Sequence, residues 1–239
     1  MSVSLTVAAK PGQFTSPPSA PAPWMQSAPA PLTQSARPVR DGLELSGAVM
    51  HFAADRQIHA EGDEARSFYE VVSGVVRTCR FLSDGRRQID AFHAAGDVFG
   101  FEAGDHYRLG AEAVSECTVI AYRRRGLETM VSHDEKLGRW FFSHALSMLA
   151  QAREHSLLLG RGSAAQKISA FLLENERQVG TTYLVDLAMS RQDIADYLGL
   201  TIETVSRTLS QMERDGTIAL LTARRVVLQN RRTLQQHCC

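Results

Sequence analysis

Hydrophobic and polar positions change rhythm twice along the chain. From about Leu43 to Arg124, short apolar runs (Ala48 to Phe52, Phe68 to Val76, Val76 to Leu82, Ile89 to Phe92, Cys117 to Tyr122) are cut by the turn signals Ser73-Gly74, Ser83-Asp84-Gly85 and Ala95-Gly96-Asp97. Closely spaced short strands broken in this way are the pattern of an all-β sandwich or barrel, and the segment reads as a β-roll. After Arg125 the period becomes helical. Phe141, Ala145, Met148, Ala152, His155 and Leu159 recur at spacings of four and three, in a stretch from Asp134 to Leu159 that has no proline and only Gly138 as glycine. Such a coiled-coil-like seam needs an apolar partner, and the simplest is the same helix of a second chain related by two-fold symmetry. The alternative is a stripe that packs on its own β-domain. His155 on the seam reads as a hydrogen-bonded interface residue.

Gly160-Arg161-Gly162-Ser163 interrupts this helix and suggests a hinge. Ser163 can cap a following helix, Ala164 to about Arg177, with Ile168, Phe171, Leu172 and Asn175 on one face. Residues 189–216 then predict two helices joined by a tight turn. Ser190 and Asp193 resemble a capping box; Ile194, Ala195 and Leu198 form the apolar face, and Gly199 sits where a left-handed residue ends a helix. Thr201 is the natural N-cap of the second helix, which turns Val205, Leu209 and Met212 inward and closes at Gly216. The result is a helix-turn-helix with its turn at Leu200. Beyond it, Ile218 to Leu221 and Val226 to Leu228 flank Thr222-Ala223-Arg224-Arg225, as in a β-hairpin wing with a basic tip. The expected architecture is α+β, with an arm at 1–42, a β-roll at 43–132, a dimerisation helix at 133–160 and a winged helix-turn-helix at 161–239.

Composition narrows the chemistry. All eight prolines fall between Pro11 and Pro38, in a segment rich in Ala, Ser and Gln, which reads as a flexible arm. Lys plus Arg number 26 and Asp plus Glu number 26, so the net charge of zero excludes a broad basic field, and any nucleic-acid affinity must come from a local patch. No apolar stretch approaches the ~20 residues that span a bilayer, and no signal-like segment opens the chain, so a cytoplasmic protein with no membrane partner is expected. The four cysteines, Cys79, Cys117, Cys238 and Cys239, lack metal-ligand spacing. They are read as reduced thiols, Cys79 and Cys117 as small apolar residues in strands. No nucleophile elbow, P-loop or helical His pair is present, and His51, His93 and His133 are scattered, so an enzyme is not expected and no metal or other cofactor is assigned.

The outward face of the second helix carries Ile202, Glu203, Ser206 and Arg207. A recognition helix presents its N-terminal residues to base edges in the major groove. Arg207 can donate twice to guanine, Glu203 can accept from cytosine, and Ser206 and Ile202 can contact thymine. Ser190, Arg191, Thr201, Thr204 and Thr222 are short donors or cations placed to grip phosphates, which sets register and carries little sequence information.

These residues resemble the DNA-binding half of the CRP/FNR superfamily of transcription regulators, and the similarity extends over about residues 43–230. The cyclic-AMP receptor protein, a member of that superfamily, docks its recognition helix in the major groove in this way. The resemblance implies a cyclic-nucleotide-binding-like jelly roll for the β-roll, and double-stranded DNA, a second copy of the chain and RNA polymerase as partners. Glu203-x-x-Ser206-Arg207 is similar to the branch that reads TTGA-type half-sites, implying a palindrome of TTGA and TCAA about one helical turn apart. The stretch Gly96 to Glu102 resembles the loop before the Arg-Ser pair that holds a cyclic phosphate in relatives, but here Tyr107 and Arg108 stand at that pair. No cysteine precedes Cys79, which speaks against an iron–sulfur cluster. With neither sensor in place, the chain is similar to the FixK-type branch, which implies a homodimeric activator of oxygen-limited respiration or nitrogen-fixation genes without a small-molecule effector; a ligand- or redox-responsive sensor is the alternative. By the same resemblance, Ser83, Asp84, Gly85, Arg86 and Arg87 sit where relatives touch the sigma subunit of the polymerase, and the loop at Gly180 to Thr182 where they touch the alpha subunit.

Overall fold

In the computed structural model the described residues are 35–36, 47–125, 131, 133–179 and 184–237. The arm apart from residues 35–36, the loop at Gly180 to Thr182 and the Cys238-Cys239 pair lie outside them. The described residues all belong to one compact unit.

Among the described residues, nine strands build the first half: β1 (Ser35–Ala36), β2 (Gly47–Phe52), β3 (Gln57–His59), β4 (Ser67–Ser73), β5 (Val76–Phe81), β6 (Arg87–His93), β7 (Val98–Phe99), β8 (Gly110–Ala113) and β9 (Cys117–Arg123). They divide into a five-stranded sheet, β1-β2-β9-β4-β7, and a four-stranded sheet, β3-β8-β5-β6. All of their named pairings are antiparallel. The two-residue β1 pairs with Ala48 and Gly47 of β2, so part of the stretch expected to be a flexible arm is a strand. Its reason is local: it covers the otherwise open edge of β2.

The turn between β4 and β5 shows why the roll needs glycine. Gly74 has φ +81°, and a Cβ there would meet the Glu116 carbonyl oxygen at 2.3 Å and Cys117 Cβ at 2.6 Å. Inside the roll, Phe52, Val71, Val76, Phe99, Ala111, Ala113, Cys117 and Val119 are buried together. Burial pushes the thiols of Cys79 and Cys117 up to about 11, as expected of small apolar fillers.

The long helix α1 (Glu135–Arg161) starts on Asp134, whose carboxylate accepts the N–H groups of Lys136 and Leu137. It is two-faced, and its faces differ from the expected seam. Phe141 meets Phe68 and Phe101 edge-on at 5.7 and 5.3 Å, so it packs on its own roll. His155 stacks on Tyr197 at 4.1 Å, in place of the interface hydrogen bond expected for it. Met148 and Leu159 are half-buried, while Ala145 and Ala152 are exposed. The uncovered apolar stripe runs through Phe142, Leu146, Leu149 and Leu157, with exposures of 68, 51, 46 and 69%. One residue of offset is ~100° around a helix, so the four-three spacing served two faces and sequence periodicity assigned the free stripe to the wrong one.

α1 ends at Gly162, and Ser163 opens α2 (Ala164–Val179) with a reciprocal cap: its hydroxyl accepts from Gln166 N at 3.2 Å and its N–H donates to Gln166 Oε1 at 2.7 Å. The break expected over residues 160–163 is thus confined to the extended Gly162-Ser163 link. The remaining elements are β10 (Leu184–Asp186), α3 (Arg191–Leu198), α4 (Ile202–Arg214), β11 (Ile218–Leu220), β12 (Arg225–Leu228) and α5 (Arg231–His237). The hairpin β11–β12 is the expected wing, and β10 adds a third strand to it, in the order β10-β12-β11. Cys79 and Ile89 of the roll belong to the same buried cluster as Ile168, Leu172, Ile194, Leu198, Val205 and Leu209 of the C-terminal half.

Replacing Gly74 with alanine forces a left-handed residue against backbone. Gly74→Ala is expected to cost about 2 kcal/mol or more of unfolding free energy, measured as a lowered denaturant midpoint at unchanged slope; an unchanged midpoint would contradict the tight approach of this turn to Glu116 and Cys117.

Candidate nucleic-acid interface

The helix-turn-helix forms as the sequence expects because each boundary is chemically marked. At the start of α3, Ser190 Oγ accepts the Asp193 N–H at 3.1 Å while Asp193 Oδ2 accepts the Ser190 N–H at 2.9 Å. Gly199 ends the helix at φ 61°, ψ 42°, a left-handed conformation that glycine adopts without a Cβ penalty. Two residues later the Thr201 hydroxyl accepts the Thr204 N–H at 3.2 Å and opens α4.

Burial sorts the residues of α4. Val205, Leu209 and Met212 are 0, 1 and 3% exposed and lock the helix onto the domain. Ile202, Glu203, Ser206 and Arg207 all lie on the opposite, exposed side in the first two turns. Seating one face fixes the other, because side chains three and four apart share a face. Glu203 is held below the usual carboxylate range by its own backbone N–H and by the Thr201 hydroxyl, with Arg207 adding its charge. The pair therefore presents an acceptor and a forked donor side by side, both open to solvent.

Of the five residues expected at phosphates, Thr201 is exposed and Ser190, Arg191 and Thr204 are half-buried. Burial lowers the pKa of Arg191, against the opposing charge of Glu213, so this guanidinium is partly sunk beside α4. Thr222 is exposed at the wing tip, where its hydroxyl accepts the N–H groups of Arg224 and Arg225 at 3.2 and 3.0 Å. Arg225 is paired with Asp186 at 2.6 Å, so Asp186 on β10 restrains one cation of the tip expected to be basic, and Arg224 is exposed beside it.

The hairpin between β5 and β6 splits the expected polymerase-contact group. Ser83, Asp84, Gly85 and Arg86 are exposed, with Asp84 accepting from the Arg86 N–H and Nε at 3.0 and 2.7 Å. Arg87 does not belong with them. Its guanidinium turns to α3 and binds Asp196 at 2.9 Å and Asp193 at 2.5 Å, which takes it out of any surface offered by the hairpin tip. The physical reason is strand alternation: Arg87 is the first residue of β6, and its side chain points to the sheet face that α3 covers.

Near the loop that resembles a cyclic-phosphate site, Tyr107 is sunk to 3% exposure. Its ring stacks on His59 at 3.6 Å and its hydroxyl donates to the Ser67 carbonyl at 2.6 Å. Burial lowers the His59 pKa to about 4, so this stack is neutral. Glu102 accepts the Arg108 N–H at 2.9 Å, and Arg108 itself is exposed. Among the described residues no cluster of three or more metal-binding side chains occurs.

Sequence reasoning missed the residues that carry this head. Lys167 of α2 is 7% exposed and donates through Nζ to the Leu198 carbonyl at 3.1 Å, satisfying the C-terminal end of α3. Arg231 of α5 binds the buried Glu176 of α2 at 3.0 Å. A lysine or glutamate on an otherwise apolar helix face was the available signal, but nothing local names its partner.

Residues 166–237 match the Crp-like helix-turn-helix domain and residues 49–134 the cyclic nucleotide-binding domain. The chain is 47% identical over 208 residues to the nitrogen fixation regulation protein FixK of Azorhizobium caulinodans, covering 85% of this chain and 84% of that one. It is 42% identical over 191 residues to FixK of Rhizobium meliloti, covering 80% and 87%. The solved structure of FixK2 from Bradyrhizobium japonicum superposes with a TM-score of 0.77 at 42% identity, over 81% of this chain and 98% of that one. With a roll, a long helix and a winged helix-turn-helix arranged as in these proteins, the chain belongs to the CRP/FNR family of transcription regulators and is of the FixK type.

Proposed function

We propose that this regulator is a homodimeric activator that binds a TTGA/TCAA-type palindrome and works without a small-molecule effector. The observation that carries the reading is the two-faced helix α4: Val205, Leu209 and Met212 are buried while Glu203, Ser206 and Arg207 stand uncovered at its N-terminal end. In the complex Arg207 and Glu203 read G·C pairs, Ser206 and Ile202 contact thymine, and Ser190, Arg191, Thr201, Thr204 and Thr222 hold phosphates.

A palindrome requires two such heads, and α1 supplies the means. Its stripe of Phe142, Leu146, Leu149 and Leu157, flanked by Ala145 and Ala152, is the surface on which a second α1 packs, in place of the register first expected around Phe141 and His155. RNA polymerase is met by the exposed residues Ser83 to Arg86. Effector independence is supported by Tyr107, whose side chain fills the roll where relatives offer an arginine to a phosphate. Redox control through Cys79 or Cys117 is disfavoured, because burial keeps both thiols protonated and unreactive. The FixK relatives are nitrogen fixation regulation proteins, which favours nitrogen-fixation genes as targets, with oxygen-limited respiration genes the second class that the family resemblance implies, and DNA as the partner favours the cytoplasm; among the described residues no helix is long and apolar enough to cross a membrane.

The purified full chain, with reductant and no added ligand, is expected to shift a TTGA/TCAA duplex at nanomolar concentrations, with affinity that falls steeply as salt rises. No shift at low salt sinks the proposal. Arg207→Ala is expected to lose about 1–3 kcal/mol and relax preference at one base pair, whereas Arg191→Ala weakens all duplexes alike and lowers the salt slope by about one. Competition with single-base variants separates the two, and identical behaviour would refute the division of roles. Leu146→Glu with Leu149→Glu is expected to give a monomer in sedimentation that has lost the palindrome; a dimer of normal mass would place the interface elsewhere.

A further inference from the structure

The roll grips the first helix of the helix-turn-helix through charges buried between them. Arg77 of β5 is 7% exposed in its side chain and binds Asp193 of α3, 6% exposed, at 3.1 Å. The same guanidinium meets Glu112 of β8 at 2.7 Å and Asp55 at 3.3 Å. Arg87 of β6 binds the same carboxylate oxygen of Asp193 and adds Asp196 one turn along α3. Asp193 thus has two duties. Its Oδ2 closes the capping box with Ser190, and its Oδ1 receives both arginines. Burial opposes its ionisation, but the Ser190 hydroxyl and N–H, with Arg77 and Arg87, outweigh this and hold it below the usual range.

α3 is held on a second side as well. Tyr197 packs on Phe92 of β6 at 5.3 Å and under His155 of α1 at 4.1 Å. The covalent connection from α1 to the head is the short extended Gly162-Ser163 link, which by itself leaves rotation open. Apolar contacts resist separation but are non-directional, whereas forked arginine–carboxylate pairs fix an angle.

We propose that Arg77 and Arg87 are positioning residues for DNA reading: acting through Asp193 and Asp196, they fix the angle at which the roll carries α3 and α4, and so the separation of the two reading helices in a dimer. This rests on the dimeric, palindrome-binding reading above. In the latched arrangement the reading face of α4 is uncovered, so the latch favours binding. Two heads at a fixed spacing bind a matched palindrome with high effective concentration, and heads free to swing lose that advantage on the palindrome while a lone half-site is contacted as before.

The test uses the full-length dimer on a graded series of duplexes that differ only in the spacer between half-sites, plus a duplex with a single half-site. Wild type is expected to show one sharp spacing optimum. Arg87→Ala is expected to bind the optimal duplex about tenfold more weakly, to bind the single half-site nearly as wild type does, and to flatten the spacing profile. Asp196→Ala should act in the same direction by a smaller factor, and the double variant should be no worse than Arg87→Ala alone, because removing Arg87 already removes its link to Asp196. Thermal midpoints are recorded so that every variant is assayed well below its transition; a purely structural role would lower the midpoint and leave the spacing optimum in place. A folded Arg87→Ala that keeps the sharp optimum, that binds more tightly, or whose loss adds to that of Asp196→Ala overturns the latch alone. A wild type that binds every duplex without a spacing preference, or binds none, overturns the dimeric reading itself.

Discussion

Arg77 and Asp193 sit almost fully out of water, with side chains 7 and 6% exposed and 3.1 Å apart. An isolated charge at such a site costs several kcal/mol, and the pairing offsets that cost only when the geometry is good and the remaining donors and acceptors are met. Here they are met, by Glu112, Asp55, Arg87 and Ser190. The arrangement therefore contributes little net stability and a great deal of register. α3 fits against the roll in one place and at one angle, and everything downstream inherits that angle: the turn at Gly199, the axis of α4, and the direction in which Glu203 and Arg207 point.

Apolar burial supplies the attraction that the charges only direct. Cys79 and Ile89 from the roll share a buried cluster with the core of the helix-turn-helix, and Phe92 reaches Phe171 and Tyr197. Sensor-like and DNA-reading halves are thus packed as one body. Such packing suits a regulator whose roll interior is already filled by its own aromatic side chains. His59, Tyr69, Phe99 and Tyr107 stack on one another there.

A similar division of faces governs α1. One face of the helix meets the roll and Tyr197, the other carries an uncovered stripe, and alanines at 145 and 152 lie along the boundary. A helix used on two sides cannot have a single hydrophobic seam, and the polar faces left over are narrow. This explains why charge is sparse between Arg139 and Arg153.

By itself the sequence determined whatever is encoded within a few residues. The capping box at Ser190 and Asp193, the left-handed stop at Gly199, the Thr201 cap and the inward triad of Val205, Leu209 and Met212 are all local, since a helix boundary is set by hydrogen bonds three or four residues away. The outward placement of Glu203, Ser206 and Arg207 followed from that triad by geometry alone. Tertiary structure alone decided which of two adjacent stripes on α1 is free, because periodicity says that a face is apolar without saying what covers it. It alone turned Arg87 from a hairpin tip to a clamp on α3, more than a hundred residues away in sequence, and made Asp193 serve a cap and a latch at once. Charge pairing across such separations leaves no period or spacing in the chain; it exists only once the sheet and the helix have been brought together.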